Sequence, residues 1–230
     1  MPCGEKVSSS PDWTAIFRKL EKWRLALGRE EPAVTEVTEG SNNKNKPWIV
    51  LVSTILSLRT KDEVTVKASR ALLEKAPGPH ELLSLGEKET ARLAYPAGFY
   101  KTKAASLQKI AGILIAQYAG QVPSDMESLL ALPGVGRKTA NLVLTEAFDK
   151  YGICVDIHVH RISNRTGWAE TANPEKTEMR LREILPRRYW KRINYLLVLY
   201  GQRVCRPISP FCSRCVISGH CHKMNVEKSR

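Results

Sequence analysis

The sequence predicts an all-α protein, and three observations support that prediction. Apolar residues recur at the 3.6-residue period of an amphipathic helix, most regularly over residues 13–27 and 101–118. Helix-starting combinations such as Ser-Pro-Asp and Asn-Pro stand before several of these segments. No stretch shows the apolar–polar alternation of a strand, and the sequence contains no internal repeat.

In the N-terminal part, the helices are predicted from their start signals and apolar stripes. The dipeptide Ser10-Pro11 begins a first helix whose apolar stripe covers residues 13–27. Residues 35–47 are polar and rich in turn formers, so a loop is expected there. The apolar segment 48–58 is expected to be a central buried helix, with a strand as the alternative because the segment contains many β-branched residues.

Further along the chain, capping boxes mark the predicted helix starts. Thr60-x-x-Glu63 has the spacing of a capping box that would begin a helix running to about Lys75. Ser124-x-x-Glu127 repeats that spacing before a short leucine-rich segment. Other helical segments are expected at 80–95, 101–118, 137–148, 174–185 and 187–200.

The composition indicates a basic globular protein. The 230 residues include 36 Lys and Arg against 23 Asp and Glu, a net charge of +13, and 43% are hydrophobic. Residues 151–230 alone carry 15 basic and 6 acidic side chains, which indicates either a polyanionic partner such as nucleic acid or a solvated charged face. The longest apolar run is too short to cross a bilayer, and the first residues lack the pattern of a secretion signal, so neither a membrane protein nor a secreted one is expected.

The segment 132–140, with the sequence LPGVGRKTA, predicts a tight turn between two helices. Its proline and glycines suit the turn, and its amides would point outward at the positive end of a helix dipole. This arrangement favours a phosphate cradle over a turn that serves only the fold. The candidates for backbone contact are Gly134, Val135, Gly136 and Arg137. Lys138, in the first helical turn, is either a surface lysine that touches phosphate or, as a neutral amine, a nucleophile.

Asp156 precedes the next predicted helix and can cap it through its side chain. If Asp156 also lies in a cleft within reach of Lys138, the two form an amine–carboxylate pair that can manage charge and a proton at one carbon. The sequence alone supports both the structural and the chemical interpretation of this carboxylate.

The helix after Asp156 carries further polar candidates. His158 and His160 are two residues apart and cannot share a helix face, which argues against a zinc site built on both. Arg161 and Arg165 do share a face and are candidates for phosphate contact.

Four of the six cysteines form a compact cluster near the C-terminus. Their spacing is Cys205-x6-Cys212-x2-Cys215-x5-Cys221, which is typical of a metal or iron–sulfur site in a chain of this size. Zinc would accept the same four thiolates, so spacing alone leaves both groups open. The other two cysteines, Cys3 and Cys154, are interpreted as ordinary thiols.

Together, LPGVGRKTA, VDIHVHRISNR (155–165) and the cysteine spacing resemble the endonuclease III branch of the helix-hairpin-helix DNA glycosylases, over about Trp13 to Cys221. The resemblance implies two α-helical domains with a DNA cleft between them. One is a six-helix barrel, residues 40–150, with the helix-hairpin-helix motif at about 124–148. The other is built from residues 1–39 and 151–230 and holds a [4Fe–4S] cluster on the four cysteines, with zinc as the alternative.

The same resemblance implies roles for individual residues. Lys138 matches the family's nucleophilic lysine, which attacks C1′ of a flipped nucleotide, and Asp156 matches its catalytic aspartate. Arg59 stands where the family usually has the glutamine that fills the gap left by that nucleotide. Phe99 matches the wedge that opens the base stack, with Tyr100 as the neighbouring alternative. DNA contacts are also expected from His158 and Arg161.

The resemblance therefore predicts a bifunctional DNA glycosylase and abasic-site lyase that acts on oxidised or ring-damaged pyrimidines. We expect it to act as a monomer on double-stranded DNA with damaged bases or abasic sites, in the cytoplasm at the nucleoid if the source is prokaryotic. One alternative is a mismatch- or purine-directed glycosylase of the same superfamily. The other is a zinc-bearing module that binds DNA without chemistry.

Overall fold

The fold is described from a computed structural model that covers residues 10–28, 30–39 and 45–230. Cys3, the N-terminal segment inspected for a secretion signal and part of the expected loop 35–47 lie outside these ranges. The described chain consists of helices, short 3₁₀ turns and irregular segments, and contains no strand, so the all-α prediction is confirmed. No helix in these ranges is both long and apolar enough to cross a membrane.

The helices follow one another in a simple order along the chain. They are α1 (Trp13–Leu25), α2 (Ala33–Glu39), α3 (Lys46–Ser57), α4 (Asp62–Lys75), α5 (Pro79–Ala94), α6 (Tyr100–Tyr118), α7 (Met126–Leu130), α8 (Arg137–Phe148), α9 (Ile157–Thr166), α10 (Pro174–Ile184) and α11 (Trp190–Arg203). Three 3₁₀ turns lie at Arg187–Tyr189, Cys212–Arg214 and Ser218–His220.

The chain divides into two compact units. One joins residues 10–28 to Val155–Arg230, and the other contains the described residues between 30 and Cys154. The sequence-based expectation placed the divisions after residues 39 and 150. The first division comes earlier in the structure because α2 packs against α3 and α4.

In the central unit, α3 is the innermost helix. Its residues 48–56 are all buried, and it contacts α2, α4, α6 and α8. Enclosure on every side explains why the segment is apolar all round instead of amphipathic. The Trp48 indole donates to the Ala76 carbonyl at 3.1 Å, which ties the start of α3 to the end of α4. The predicted buried helix is therefore confirmed over the strand alternative.

The unit built from the chain ends is held by aromatic packing between α1 and the C-terminal helices. Phe17 stacks on Tyr189 with ring centroids 4.0 Å apart, and Trp13 meets Trp168 edge-on at 5.0 Å. Aromatic pairs of this kind add stability beyond their buried area. They explain how two segments distant in sequence form one core.

Several sequence-based boundaries were wrong. A helix, α2, occupies most of the described part of the expected loop 35–47. The N-cap of α1 is Asp12, whose side chain accepts from the Ala15 amide. The helix therefore begins two residues later than the Ser10-Pro11 signal indicates. Neither capping box forms as expected: Lys61 stands at the N-cap of α4, and Asp125 caps α7 by accepting from the Ser128 amide. The Thr60 hydroxyl is instead used in tertiary contacts described below.

Candidate functional site

The turn between α7 and α8 is anchored on its apolar residues. Leu132 and Val135 are buried in the core of the central unit, and the Val135 amide donates to the Leu132 carbonyl at 3.1 Å. Gly134 between them has φ +79°, a conformation that strains residues with a Cβ. Val135 was expected to contact DNA, but its side chain is buried and its amide is bonded within the turn.

The two glycines of this turn present open amides. Gly134 and Gly136 are exposed, and within the described part of the chain neither amide finds a hydrogen-bond acceptor. Gly136 is the N-cap of α8 and offers no side chain to satisfy the first helical amides. Unpaired amides at the positive end of a helix form an anion-binding site, so this end of α8 can receive a phosphate.

Lys138 is the second residue of α8 and is half-buried. Its Nζ makes no hydrogen bond or ion pair with any residue that the structure describes, while its carbonyl accepts from the Cys154 thiol at 3.6 Å. A nucleophilic amine needs a lone pair that no neighbour occupies. Within the described residues, the Lys138 amine is thus unpaired and lies next to a turn with open amides.

Asp156 begins α9 in the other unit, and its side chain is nine-tenths buried. Its Oδ1 accepts from the amides of His158 at 2.9 Å and Val159 at 2.8 Å, the geometry of a helix N-cap. Its Oδ2 accepts no hydrogen bond from the described residues. One oxygen therefore caps the helix, and the other makes no hydrogen bond with the described residues.

Arg59 and Phe99, forty residues apart in sequence, lie side by side in the central unit. The Arg59 guanidinium carbon lies 5.5 Å from the centroid of the Phe99 ring, and Phe99 is 62% exposed. Both residues have positive φ values, 53° and 57°, which is uncommon for residues with a side chain. Tyr100, the alternative wedge, packs against the core and meets Tyr95 edge-on, so Phe99 is the side chain that projects.

Arg161 turns inward along α9, unlike a residue that reaches for phosphate. Its guanidinium donates to the Cys205 carbonyl at 2.8 and 3.1 Å and to the Gly201 carbonyl at 3.0 Å. It also lies 3.0 Å from His158 Nδ1. The expectation that Arg161 contacts phosphate is not supported by this use of its donors.

Replacement of Arg161 by methionine should therefore reduce stability more than DNA affinity. It leaves partly buried carbonyls unpaired, and we expect the free energy of unfolding to fall by about 2–4 kcal/mol in urea titrations. Arg180→Met is the matched control, because Arg180 forms an exposed pair with Glu183 worth about 0–1 kcal/mol. A variant as stable as this control that binds DNA with a weaker salt dependence would identify Arg161 as a phosphate contact.

The four clustered cysteines share one region and attract donors to their sulfurs. Cys205, Cys212, Cys215 and Cys221 are all partly buried. Burial raises the pKa of the Cys221 thiol, and the neighbouring sulfurs of the other three raise it further. The Tyr200 hydroxyl donates to Cys215 Sγ at 3.2 Å, and the Arg165 guanidinium lies 3.5 Å from Cys205 Sγ. Partly buried sulfurs that receive hydrogen-bond donors suit metal ligation.

Helix α9 is tied to this cysteine region at its C-terminal end. Arg165 donates to the carbonyls of Arg206 and Pro207 at 2.6 Å each, and its own carbonyl accepts from Met224 at 2.9 Å. The helix that begins with Asp156 is therefore fixed by the segment that holds the four thiols.

Sequence reasoning missed Lys103, which is 7% exposed on α6. A signal was present, since Lys103 falls on the same helical stripe as the buried Leu107, Ile110 and Leu114. A lysine on an apolar stripe is unusual enough to be singled out. Tyr200, the donor to Cys215, carried no comparable signal.

Comparison with known proteins places the chain among DNA repair enzymes. Residues 52–187 match the family model described as "HhH-GPD superfamily base excision DNA repair protein". The chain is 45% identical to endonuclease III of Thermotoga maritima over 181 residues, 79% of this chain and 85% of that protein. It is 42% identical to the chloroplastic endonuclease III homolog 2 of Arabidopsis thaliana, over 91% of this chain and 57% of the longer plant protein.

The fold is also similar to solved structures. A structure described as a trapped endonuclease III–DNA covalent intermediate matches with a TM-score of 0.74 and 30% identity, covering 89% of this chain and 96% of that one. A thermostable thymine-DNA glycosylase matches with a TM-score of 0.69 at 23% identity, which shows a common fold.

Proposed function

The chain belongs to the endonuclease III family within the HhH-GPD superfamily, and we propose that it removes oxidised or ring-damaged pyrimidines from duplex DNA and then cuts the strand at the abasic site. The observation that carries this proposal is the Lys138 amine, half-buried and unpaired among the described residues, beside a turn with open amides. A lyase needs such an amine, whereas a glycosylase that uses water alone does not.

The reaction begins when the damaged nucleotide leaves the base stack. The neutral Lys138 amine attacks C1′, the bond from C1′ to the base breaks, and the base departs with a proton. O4′ then takes up a proton from water as its bond to C1′ breaks, and the opened sugar forms a protonated Schiff base between C1′ and Nζ. Loss of a proton from C2′ then expels the 3′ phosphate, and water releases Lys138 by hydrolysis of the imine.

Asp156 is proposed to act on the same nucleotide through Oδ2. Because Oδ1 is occupied by two helix amides, the carboxylate has a fixed orientation. A fixed anion can take a proton from Lys138 or stabilise positive charge that develops at C1′. The buried position strengthens either effect, since fewer waters screen the charge.

The duplex is proposed to be held by main chain and opened by side chains. The amides of Gly134 and Gly136, and the start of α8 at Arg137, would bind a phosphate without reading sequence. Phe99 would enter the base stack while Arg59 fills the space of the flipped nucleotide. His158, in the first turn of α9, is proposed as a further contact to the DNA backbone.

Cys205, Cys212, Cys215 and Cys221 are proposed to hold a [4Fe–4S] cluster. The four sulfurs influence one another electrostatically, yet among the described residues no group of three His, Cys, Asp or Glu side chains could hold a single ion. Membership of the endonuclease III family is what supports an iron–sulfur cluster over a single zinc ion. The cluster would hold the segment from 205 to 221 in shape and thereby support α9 through Arg161 and Arg165.

Metal analysis tests this cofactor proposal. We expect the purified protein to be brown, with about four iron atoms per chain, and Cys212→Ser to lose both colour and iron. Cys154→Ala is the control, because that thiol lies in the central unit and donates to a carbonyl. A colourless protein that carries one zinc ion would overturn the cluster.

The activity is tested with three duplexes that contain thymine glycol, an abasic site or no damage. We expect cleavage 3′ to the lesion in the first two, with an unsaturated aldehyde left on the upstream fragment, and no cleavage of the third. Base release without strand cleavage would indicate a glycosylase without lyase activity. A fourth duplex with a mismatched thymine or adenine tests the alternative class, and a preference for it over thymine glycol would move the substrate to that class. Binding without either product would support a non-catalytic module.

The proposed substrate also determines where the protein works. We propose that it acts as a monomer. Because its proposed substrate is chromosomal DNA, we expect it at the nucleoid in the cytoplasm if its source is prokaryotic.

A further inference from the structure

Lys103 on α6 joins the loop of Arg59 to the loop of Phe99. Its Nζ donates to the carbonyls of Leu56 at 2.8 Å and Leu58 at 2.6 Å, and to the Thr60 hydroxyl at 2.9 Å. An ammonium has three N–H donors, so all of them are used on residues that flank Arg59. The two carbonyls belong to the end of α3, where helical acceptors lack partners and a cation is favoured by the helix dipole.

A second set of contacts joins the same two loops without Lys103. The Gly98 amide donates to the Thr60 hydroxyl at 3.0 Å. A Cβ added at Gly98 would lie 2.4 Å from the Arg59 carbonyl oxygen, so the two backbones meet where any other residue would clash. The Thr60 hydroxyl also donates to the Leu58 carbonyl, at 3.3 Å, and its hydrogen-bonding capacity is thus filled.

The chemistry of Lys103 argues against a role in packing alone. It is nearly buried, and within the described part of the chain no carboxylate pairs with it. Burial lowers the pKa of its ammonium to about 8, which reflects how unfavourable the charge is at this position. An apolar residue would fill the same space without that penalty. What the ammonium provides, and an apolar residue does not, is three simultaneous donors to the loop of Arg59.

The loops held in this way carry strained and exposed residues. Arg59 and Phe99 both have left-handed backbone conformations, which persist only where the surroundings impose them. Their side chains project from this scaffold with the guanidinium beside the ring. Because the backbones of both loops are already fixed, less conformational entropy is lost when their side chains enter a duplex.

We propose that Lys103 is a positioning residue that locks the Arg59 and Phe99 loops into a single element for insertion into DNA. This inference rests on the proposed function, because insertion has meaning only if a nucleotide is flipped. Lys103 itself does not touch the reacting atoms, and its donors are all spent on the two loops. It acts on the opening of the duplex and has no part in the chemistry at C1′.

The test compares two substrates that differ only in the need for opening. One is a duplex with an abasic site, and the other is the same abasic strand without its complement. For Lys103→Met we expect cleavage of the duplex to fall by about 10- to 100-fold and cleavage of the unpaired strand to change by less than about threefold. A fluorescent base opposite the lesion should report slower opening by the same factor. Lys109→Met, an exposed lysine on α6, is the matched control and should leave both substrates unaffected.

The outcomes separate this inference from the proposed function. If the unaltered protein cleaves neither substrate, the proposed function fails. If it cleaves both, and Lys103→Met loses activity on both equally or on neither, Lys103 is not a positioning residue. Should Lys103→Met fail to fold, Thr60→Val removes the shared hydroxyl and keeps the side-chain shape. It is expected to show the same split between the substrates, and equal effects on both would overturn the proposal.

Discussion

The Lys138→Gln variant is expected to lose strand cleavage by about 10³-fold or more while its affinity for damaged duplex stays within about threefold. Glutamine is a polar side chain one bond shorter than lysine, and it has no amine that can form a Schiff base. The phosphate-binding amides of Gly134 and Gly136 belong to the main chain and remain in place. Single-turnover cleavage and equilibrium binding on the same thymine glycol duplex measure the two effects separately.

Arg137→Gln is the matched control for this variant, because it removes a cation from the same first turn of α8. We expect it to weaken binding moderately and to leave the rate on bound substrate unchanged. If Lys138→Gln and Arg137→Gln reduce cleavage by the same factor, Lys138 is only a phosphate contact. Full cleavage by Lys138→Gln would remove the lyase mechanism altogether.

Asp156→Asn should reduce base removal by about 10²- to 10⁴-fold with little loss of stability. Asparagine caps helices as well as aspartate, so the two hydrogen bonds from His158 and Val159 can persist. What the variant lacks is the negative charge on Oδ2. Thermal unfolding together with single-turnover base release distinguishes the cap from the chemistry.

Asp156→Ala also separates the helix-capping role of this residue from its catalytic role. It removes the cap as well as the charge, and we expect it to lose about 1 kcal/mol of stability that Asp156→Asn retains. Both variants should show the same catalytic defect. If Asp156→Asn is fully active and only Asp156→Ala is impaired, this aspartate serves the fold alone.

Local signals in the sequence were sufficient for much of the fold. Helix α8 covers 137–148 as predicted, because its apolar period and the glycine before it both indicate a helix that begins at Arg137. Helix α3 was predicted as buried because all of its faces are apolar. The prediction of a loop over 35–47 was wrong at its start. The polar turn formers at 40–46 hid the apolar face of α2, which packs against α3 and α4.

Tertiary use of side chains explains the other differences. Thr60 has the spacing of a helix cap, but its hydroxyl is occupied by Gly98 and Lys103 from distant parts of the chain. Arg161 and Arg165 share a helix face as predicted, yet periodicity cannot tell whether that face meets solvent or the Cys205 segment. The approach of Arg59 to Phe99 likewise depends on packing that no local pattern encodes.

The central claim is that the Lys138 amine becomes covalently attached to C1′ of the damaged nucleotide. The most direct test reduces the reaction on a thymine glycol duplex with sodium borohydride, digests the adduct with protease and locates the modified lysine by mass spectrometry. We predict a single adduct on Lys138, with none on Lys103 or Lys150 and none with undamaged duplex. An adduct on another lysine, or base release with no adduct at all, would contradict the account.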